Sequence, residues 1–174
     1  LPALDSNLNL SVIVVMHRRW KSEDDFLCQM LNRNCMLTVK EADEKEHLEA
    51  GIVYLAPPNY HLMVEKDKTL SLTVDERFNY SRPSIDILFE SAAEVFGPQL
   101  IGVVLTGANS DGSYGLKTIK AAGGLVVVED PATAEVKTMP QAALDMLFPD
   151  YVADHVLPLE KIGPLLVRIA HSNL

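Results

Sequence analysis

Side chains whose types could do acid–base chemistry stand at the ends of apolar runs, where a His and an Asp could approach each other. His17 directly follows residues 11–16 (SVIVVM), and Asp111 lies in the Gly-rich segment 106–112 that follows residues 100–105 (LIGVVL). An imidazole gains and loses a proton near neutral pH, so it can act as a base. A carboxylate beside it fixes its tautomer and stabilises its protonated form. In an open α/β sheet, functional groups gather beyond the carboxyl ends of the strands. A third run, residues 125–128 (LVVV), delivers Glu129, Asp130 and Pro131 to the same rim.

Segment 106–112 carries a competing reading. It has neither G-x-x-x-x-G-K-[ST] nor G-x-G-x-x-G, so it is not a phosphate cradle. Ala108-Asn109-Ser110-Asp111-Gly112 does approximate a nucleophile elbow, G-x-S-x-G, with Ala for the first Gly. A small-molecule esterase would then use Ser110, Asp130 or Asp145, and His155. The other imidazoles offer less: His47 lies in a charged stretch, His61 opens a strand, His155 falls in a loop and His171 is near the tail. No two of them have metal-ligand spacing on one helix, so neither a metal nor a cofactor is expected. Cys28 and Cys35 lie seven apart, which suits neither a zinc knuckle nor a redox pair; two thiols in a reducing cytosol is the plain reading. Arg18 and Arg19 could meet an acidic partner surface or simply solubilise their loop. Residues 54–61 (YLAPPNYH) could wall a cleft at the sheet edge. Arg82-Pro83-Ser84 reads first as a helix entry and second as a substrate contact.

The elements that must position these groups follow from periodicity. Short β-branched runs at 11–16, 52–56, 100–105 and 125–128 suit strands buried on both faces, and 36–39 is a further strand candidate. Residues 61–65 and 70–74 alternate apolar and polar, which predicts a hairpin with one wet face. Helices are expected near 23–31 with Ser22 as cap, and over 84–96 with Ser84 as cap and Gly97-Pro98 as stop. Further helices are expected over 115–122, 140–147 and 159–170, the last interrupted or bent near Gly163-Pro164. Residues 41–49 read as a solvated loop. Strands alternating with helices predict an α/β fold: a doubly wound, mostly parallel sheet, helices on both faces, and an inserted antiparallel hairpin.

The 174 residues make one domain, and 48% apolar residues can fill its core. Fifteen Lys and Arg against 24 Asp and Glu give a net charge of −9, the wrong sign for a nucleic-acid partner. Apolar runs are strand-length, far short of the ~20 residues a membrane span needs. Leu1, Leu4 and Leu8 look like the tail of an element that began earlier, so an amino-terminal strand and helix are expected to precede Leu1.

Taken in order, these segments resemble the catalytic domain of the bacterial chemotaxis protein-glutamate methylesterases. The pieces are the strand ending in His17; Gly51-Ile52-Val53-Tyr54-Leu55-Ala56-Pro57 with His61 beyond; Arg82-Pro83-Ser84-Ile85-Asp86-Ile87-Leu88-Phe89; Gly102 to Gly107 through Asp111-Gly112; Ala122-Gly123-Gly124 with residues 129–134 (EDPATA); and Met139-Pro140. Their joint order carries the likeness. It implies a cytoplasmic serine hydrolase that removes methyl groups from glutamate side chains on chemoreceptor cytoplasmic helices, with glutamine deamidation as a further activity of some members. It also implies a Ser-His-Asp triad in which His17 matches the base and Asp111 the orienting acid. The matching serine lies in a Gly-rich turn upstream of Leu1; Ser6 and Ser11 come too late to replace it, and Ser110 becomes a neighbour of the triad. The family usually has Met and Gly where Ala108 and Asn109 stand, so a contact near the reacting centre differs. Its members usually carry an amino-terminal receiver domain, which nothing in these residues matches; the chain resembles versions that stand alone or are fused to a methyltransferase, which leaves a receiver domain or a methyltransferase as the candidates for regulation. Either is therefore an expected partner. A non-catalytic module of the same fold, docking on receptors or signalling proteins, is the alternative.

Overall fold

The computed structural model describes residues 1–17 and 24–172. Arg18, Arg19, Ser22 and Glu23 lie outside the described residues. Among the described residues, eight strands and five helices follow in the order β1 (Val12–Val14), α1 (Asp24–Asn34), β2 (Thr38–Glu41), β3 (Ile52–Leu55), β4 (His61–Val64), β5 (Leu70–Thr73), α2 (Ile85–Phe96), β6 (Ile101–Val104), α3 (Ser113–Ala121), β7 (Leu125–Glu129), α4 (Thr138–Leu147), β8 (His155–Leu157) and α5 (Leu159–His171). A 3-10 turn (Gly97–Gln99) joins α2 to β6.

The parallel strands form two groups of three, β1-β3-β2 and β6-β7-β8. Period-two alternation places helices on both faces of each. Val53 and Leu55 face the side on which Leu27, Leu31 and Leu166 pack, while Tyr54 and Ala56 face Leu88 and Ala92 of α2. In the second group, Val126 and Val128 pack with Leu116, Ile119, Ala143 and Leu147, and Val127 packs with Ile162 and Leu165 of α5. The half-buried thiols Cys28 and Cys35 pack as small apolar groups against the first group.

Three expectations need correction. The hairpin β4-β5 has no continuous wet face: His61, Leu62, Val64, Leu70 and Ser71 are all buried. Helix α2 covers it, and the 45–48 loop bonds its outer edge through Lys45 N–H to Leu70 O, Leu70 N–H to Glu46 O and Leu48 N–H to Lys68 O. His155 is not in a loop but opens β8, a three-residue edge strand too short to leave a periodic signal. Helix α5 runs through Pro164 without a break. Gly163 beside it lets the helix touch the amino-terminal segment, since a Cβ there would sit 2.6 Å from the Ala3 Cβ.

Candidate active site

The chain leaving β1 carries His17, and the loop after β6 carries Asp111. The two side chains meet: His17 Nε2 lies 2.7 Å from Asp111 Oδ2. The Asp111 side chain is fully buried, whereas that of His17 is 28% exposed. The carboxylate is buried yet saturated with donors. Oδ1 accepts from the Ser84 hydroxyl at 2.8 Å and from Asp86 N–H at 3.1 Å; Oδ2 accepts from Ile85 N–H at 2.8 Å besides the imidazole. Ile85 and Asp86 open α2, so Asp111 sits where a helix N-terminus favours negative charge. Burial is the largest influence on Asp111 and pushes its carboxyl up; the bonds from His17, Ile85, Asp86 and Ser84 together outweigh it and hold the group below the ordinary carboxylate value.

An ionised carboxylate can only accept, so Nε2 carries the ring proton and Nδ1 the lone pair. The free nitrogen therefore faces away from Asp111, towards the loop 105–112. Asn109 Nδ2 stands 3.3 Å from it.

The carboxylate's surroundings are built by a reciprocal arrangement of two helices. Ser84, in extended conformation, is the side-chain cap of α2. Helix α3 has no such cap, because Gly112 precedes it at φ +92°. Asp86 in the first turn of α2 supplies one instead, accepting from Gly115 N–H at 2.7 Å. Burial raises the Asp86 carboxyl above its ordinary value; the N–H groups of Gly115 and Gly112 work against that, and the nearby Asp111 charge adds to it. The helices can approach this closely because residue 115 is Gly: a Cβ would lie 2.6 Å from Phe89 Cβ and 3.0 Å from Asp86 O. Gly112 likewise tolerates the left-handed backbone and leaves room for Ile85.

The remaining candidates have other occupations. His61 is fully buried, with Nδ1 accepting from Ser84 N–H at 3.2 Å and Nε2 donating to Glu76 O at 3.0 Å, so it braces the cap from behind. Arg82 donates to Val74 O and Asp75 O and reaches Asn59 Oδ1 at 3.4 Å, tying the β5–α2 loop to the turn after β3. Ser110 is exposed, and its carbonyl accepts from the Ser113 hydroxyl. It lacks the positive φ of a strained elbow, and α3 starts three residues later. Its supposed partners lie apart: Asp130 Oδ1 caps its own turn at Ala132, Asp145 bonds Gln141 on the exposed side of α4, and His155 is paired beside Val127 at the start of β8. His171 bonds Asp5 at 3.0 Å. Among the described residues no group of three His, Cys, Asp or Glu could hold a metal ion. Sequence reasoning missed two participants. Asp86 carries a visible sign, an acid in a helical first turn, but the helix it caps is another one. Asn109 carries no local sign at all.

Fold and site together define an α/β enzyme with a carboxylate-backed imidazole at the rim of its parallel strands. The profile described as CheB methylesterase matches residues 1–166, and the chain belongs to that family. A Leptospira interrogans protein, provisionally named a protein-glutamate methylesterase/protein-glutamine glutaminase, is 50% identical over 174 residues, all of this chain and 88% of that protein. The protein-glutamate methylesterase/protein-glutamine glutaminase 2 of Methanosarcina mazei is 37% identical over 150 residues, 82% of this chain but 40% of its own length. The crystal structure of the Thermotoga maritima CheB methylesterase catalytic domain superposes with a TM-score of 0.88 at 33% identity, covering 97% of this chain and 88% of that one. No helix among the described residues is long and apolar enough to cross a membrane.

Proposed function

We propose that this chain hydrolyses glutamate methyl esters on chemoreceptor cytoplasmic helices, with His17 as general base and Asp111 as the acid that orients it. The observation that carries the reading is the 2.7 Å contact between a partly exposed imidazole and a buried carboxylate kept ionised by its donors. The nucleophile is a serine hydroxyl from residues outside 1–174, delivered at Nδ1 of His17. Strand edges support that placement. β1 and β6 are each one of the two edge strands of their group, both lead to the site, and the apolar Val12, Ile13, Val14 and Val103 on them are only half-buried. A parallel strand between them would end beside His17.

In this reading Nδ1 takes the hydroxyl proton as the serine oxygen bonds to the ester carbonyl carbon. The resulting oxyanion needs aimed N–H donors. His17, now protonated and stabilised by Asp111, returns the proton to the departing methoxide, and methanol leaves. Water then repeats the sequence on the acyl-enzyme and restores the glutamate carboxylate. A glutamine amide follows the same course with ammonia leaving. The receptor helix would dock over a rim that includes Tyr80, which is 96% exposed next to Ser81. The protein acts in the cytoplasm, with a receiver domain or a methyltransferase as its regulatory partner.

The test is methanol release from methyl-esterified receptor by the full-length protein. His17→Ala should lower the rate by about 10⁴-fold or more, because triad members act as a unit. A His17→Ala enzyme with unchanged turnover refutes the assignment. Ser110→Ala should keep full activity; its loss would revive the elbow reading.

A further inference from the structure

Asn109 makes three contacts that together fix the state of the base. Its Oδ1 accepts from Asp111 N–H at 3.1 Å, which settles which end of the carboxamide is oxygen. The nitrogen end then faces His17 Nδ1 at 3.3 Å and the Ser81 hydroxyl at 3.4 Å. An amide nitrogen can only donate. The carboxylate has already claimed the proton on Nε2, so Nδ1 has a lone pair to receive that donor. Each assignment forces the next, from a backbone N–H through the carboxamide to the ring.

We propose that Asn109 is a positioning residue for the His17 base: its amide holds the ring in plane with a bare Nδ1 in the resting site and yields that nitrogen to the attacking hydroxyl. The contact is long enough to be exchanged for a shorter O–H bond, and the Ser81 oxygen offers the displaced N–H a place to go. Once Nδ1 is protonated, two donors would face each other, so the amide must leave the ring during turnover. The proposal rests on the esterase reading for its kinetic consequence but not for its structural one.

Asn109→Asp and Asn109→Ser separate the donor from the turn. Both keep an oxygen that can accept from Asp111 N–H; neither offers an N–H to the ring. In Asn109→Asp the oxygen that replaces the amide nitrogen faces the Nδ1 lone pair, a repulsion relieved only when Nδ1 takes up a proton, and the base is then spent. Ring ¹⁵N spectra of the full-length protein, taken where the wild-type ring is neutral, read this directly. In the wild type, Nδ1 of His17 should show the shift of an unprotonated nitrogen. In Asn109→Asp it should move to that of a protonated one, and turnover should fall about 10²-fold with KM changed less than about twofold, the size expected of a misprepared reacting group. In Asn109→Ser, Nδ1 should stay unprotonated, with turnover down about 5- to 10-fold at constant KM, as for one neutral hydrogen bond. An unmoved Nδ1 shift in Asn109→Asp, or wild-type turnover in Asn109→Ser, overturns the proposal. If the wild type releases no methanol, the esterase reading fails, while the nitrogen shifts still decide the role of Asn109.

Discussion

Replacing Asp111 by Asn should damage the site and the fold together, whereas replacing His17 by Ala should damage only the site. The carboxylate serves four donors: Ser84 Oγ, Asp86 N, Ile85 N and His17 Nε2. An Asn carboxamide is isosteric but brings an NH₂ in place of one oxygen. On the Oδ2 side it would face two donors, the imidazole and Ile85 N–H. On the Oδ1 side it faces a hydroxyl, which can turn to accept, and Asp86 N–H, which cannot. The second orientation is the better one, and it leaves one buried N–H without a partner, at about 1–3 kcal/mol. Loss of the charge at the α2 N-terminus adds about 0.3–1 kcal/mol. The expected destabilisation is roughly 1–4 kcal/mol in urea unfolding followed by circular dichroism. His17→Ala leaves three donors in place and opens the fourth lone pair to water, so its cost should stay near or below about 1 kcal/mol. Both variants should lose turnover in the methanol-release assay. The pH dependence has a definite sign. The folded-state value of Asp111 is depressed, so its contribution is complete above the ordinary carboxylate value of 3.8 and is lost as pH falls through the folded one. The carboxamide of the Asp111→Asn variant takes up no proton in this range, so the gap between variant and wild type should narrow in acid. Equal urea midpoints for Asp111→Asn and the wild type at neutral pH would refute the capping argument.

Other substitutions probe the frame around the carboxylate. His61→Ala removes a fully buried ring and orphans Ser84 N–H and Glu76 O, so stability should fall by about 3–5 kcal/mol, in calorimetry or denaturant, although His61 does no chemistry. Gly115→Ala drives a methyl into Phe89 and the α2 backbone and should cost about 1–3 kcal/mol in the same measurement. Asp86→Asn keeps an oxygen for Gly115 N–H and removes a buried charge. Since the folded-state value of Asp86 is raised, the wild type carries a penalty that is absent in acid and grows as pH rises towards that value. Urea midpoints should therefore move in favour of Asp86→Asn between acid and neutral pH, and a shift the other way would contradict the assigned direction.

Local chemistry made much of the fold legible. Ser84 and Gly97 mark both ends of α2, and continuous apolar runs mark β3, β6 and β7. What failed to show was whatever depends on a distant partner. β8 is three residues long and exists because Val127 to Glu129 offer it an edge. The hairpin's polar positions, Ser71 among them, read as solvent-facing although the fold buries His61 and Ser71. At the site, His17 and Asp111 could be nominated because each follows a strand-like run and because the ordered segments resemble a known family. Their 2.7 Å contact bridges 94 positions, and no periodicity encodes such a distance. Asn109 was visible only as a departure from the family pattern; its contact with the ring needs the folded loop.

The reciprocal carboxylates explain why the orienting acid can be buried and ionised at once. Asp111 stands before α3 in the chain but serves the N-terminus of α2; Asp86 stands in α2 but serves the N-terminus of α3. Helix α2 begins on the acid that precedes α3, α3 begins on an acid within α2, and Gly115 brings the two starts within reach. Desolvating a carboxylate is costly unless donors meet every lone pair. Three of the four donors to Asp111 come from residues 84–86, so helix packing supplies them before His17 arrives. The same packing treats the two acids differently. Asp111 receives enough donors to stay ionised below the usual range, while Asp86, bonded by fewer and repelled by its neighbour, is pushed the other way. A base that leans on Asp111 thus leans on the α2–α3 junction. A mutation that pries the helices apart, such as Gly115→Ala, should lower turnover even though residue 115 never reaches the substrate.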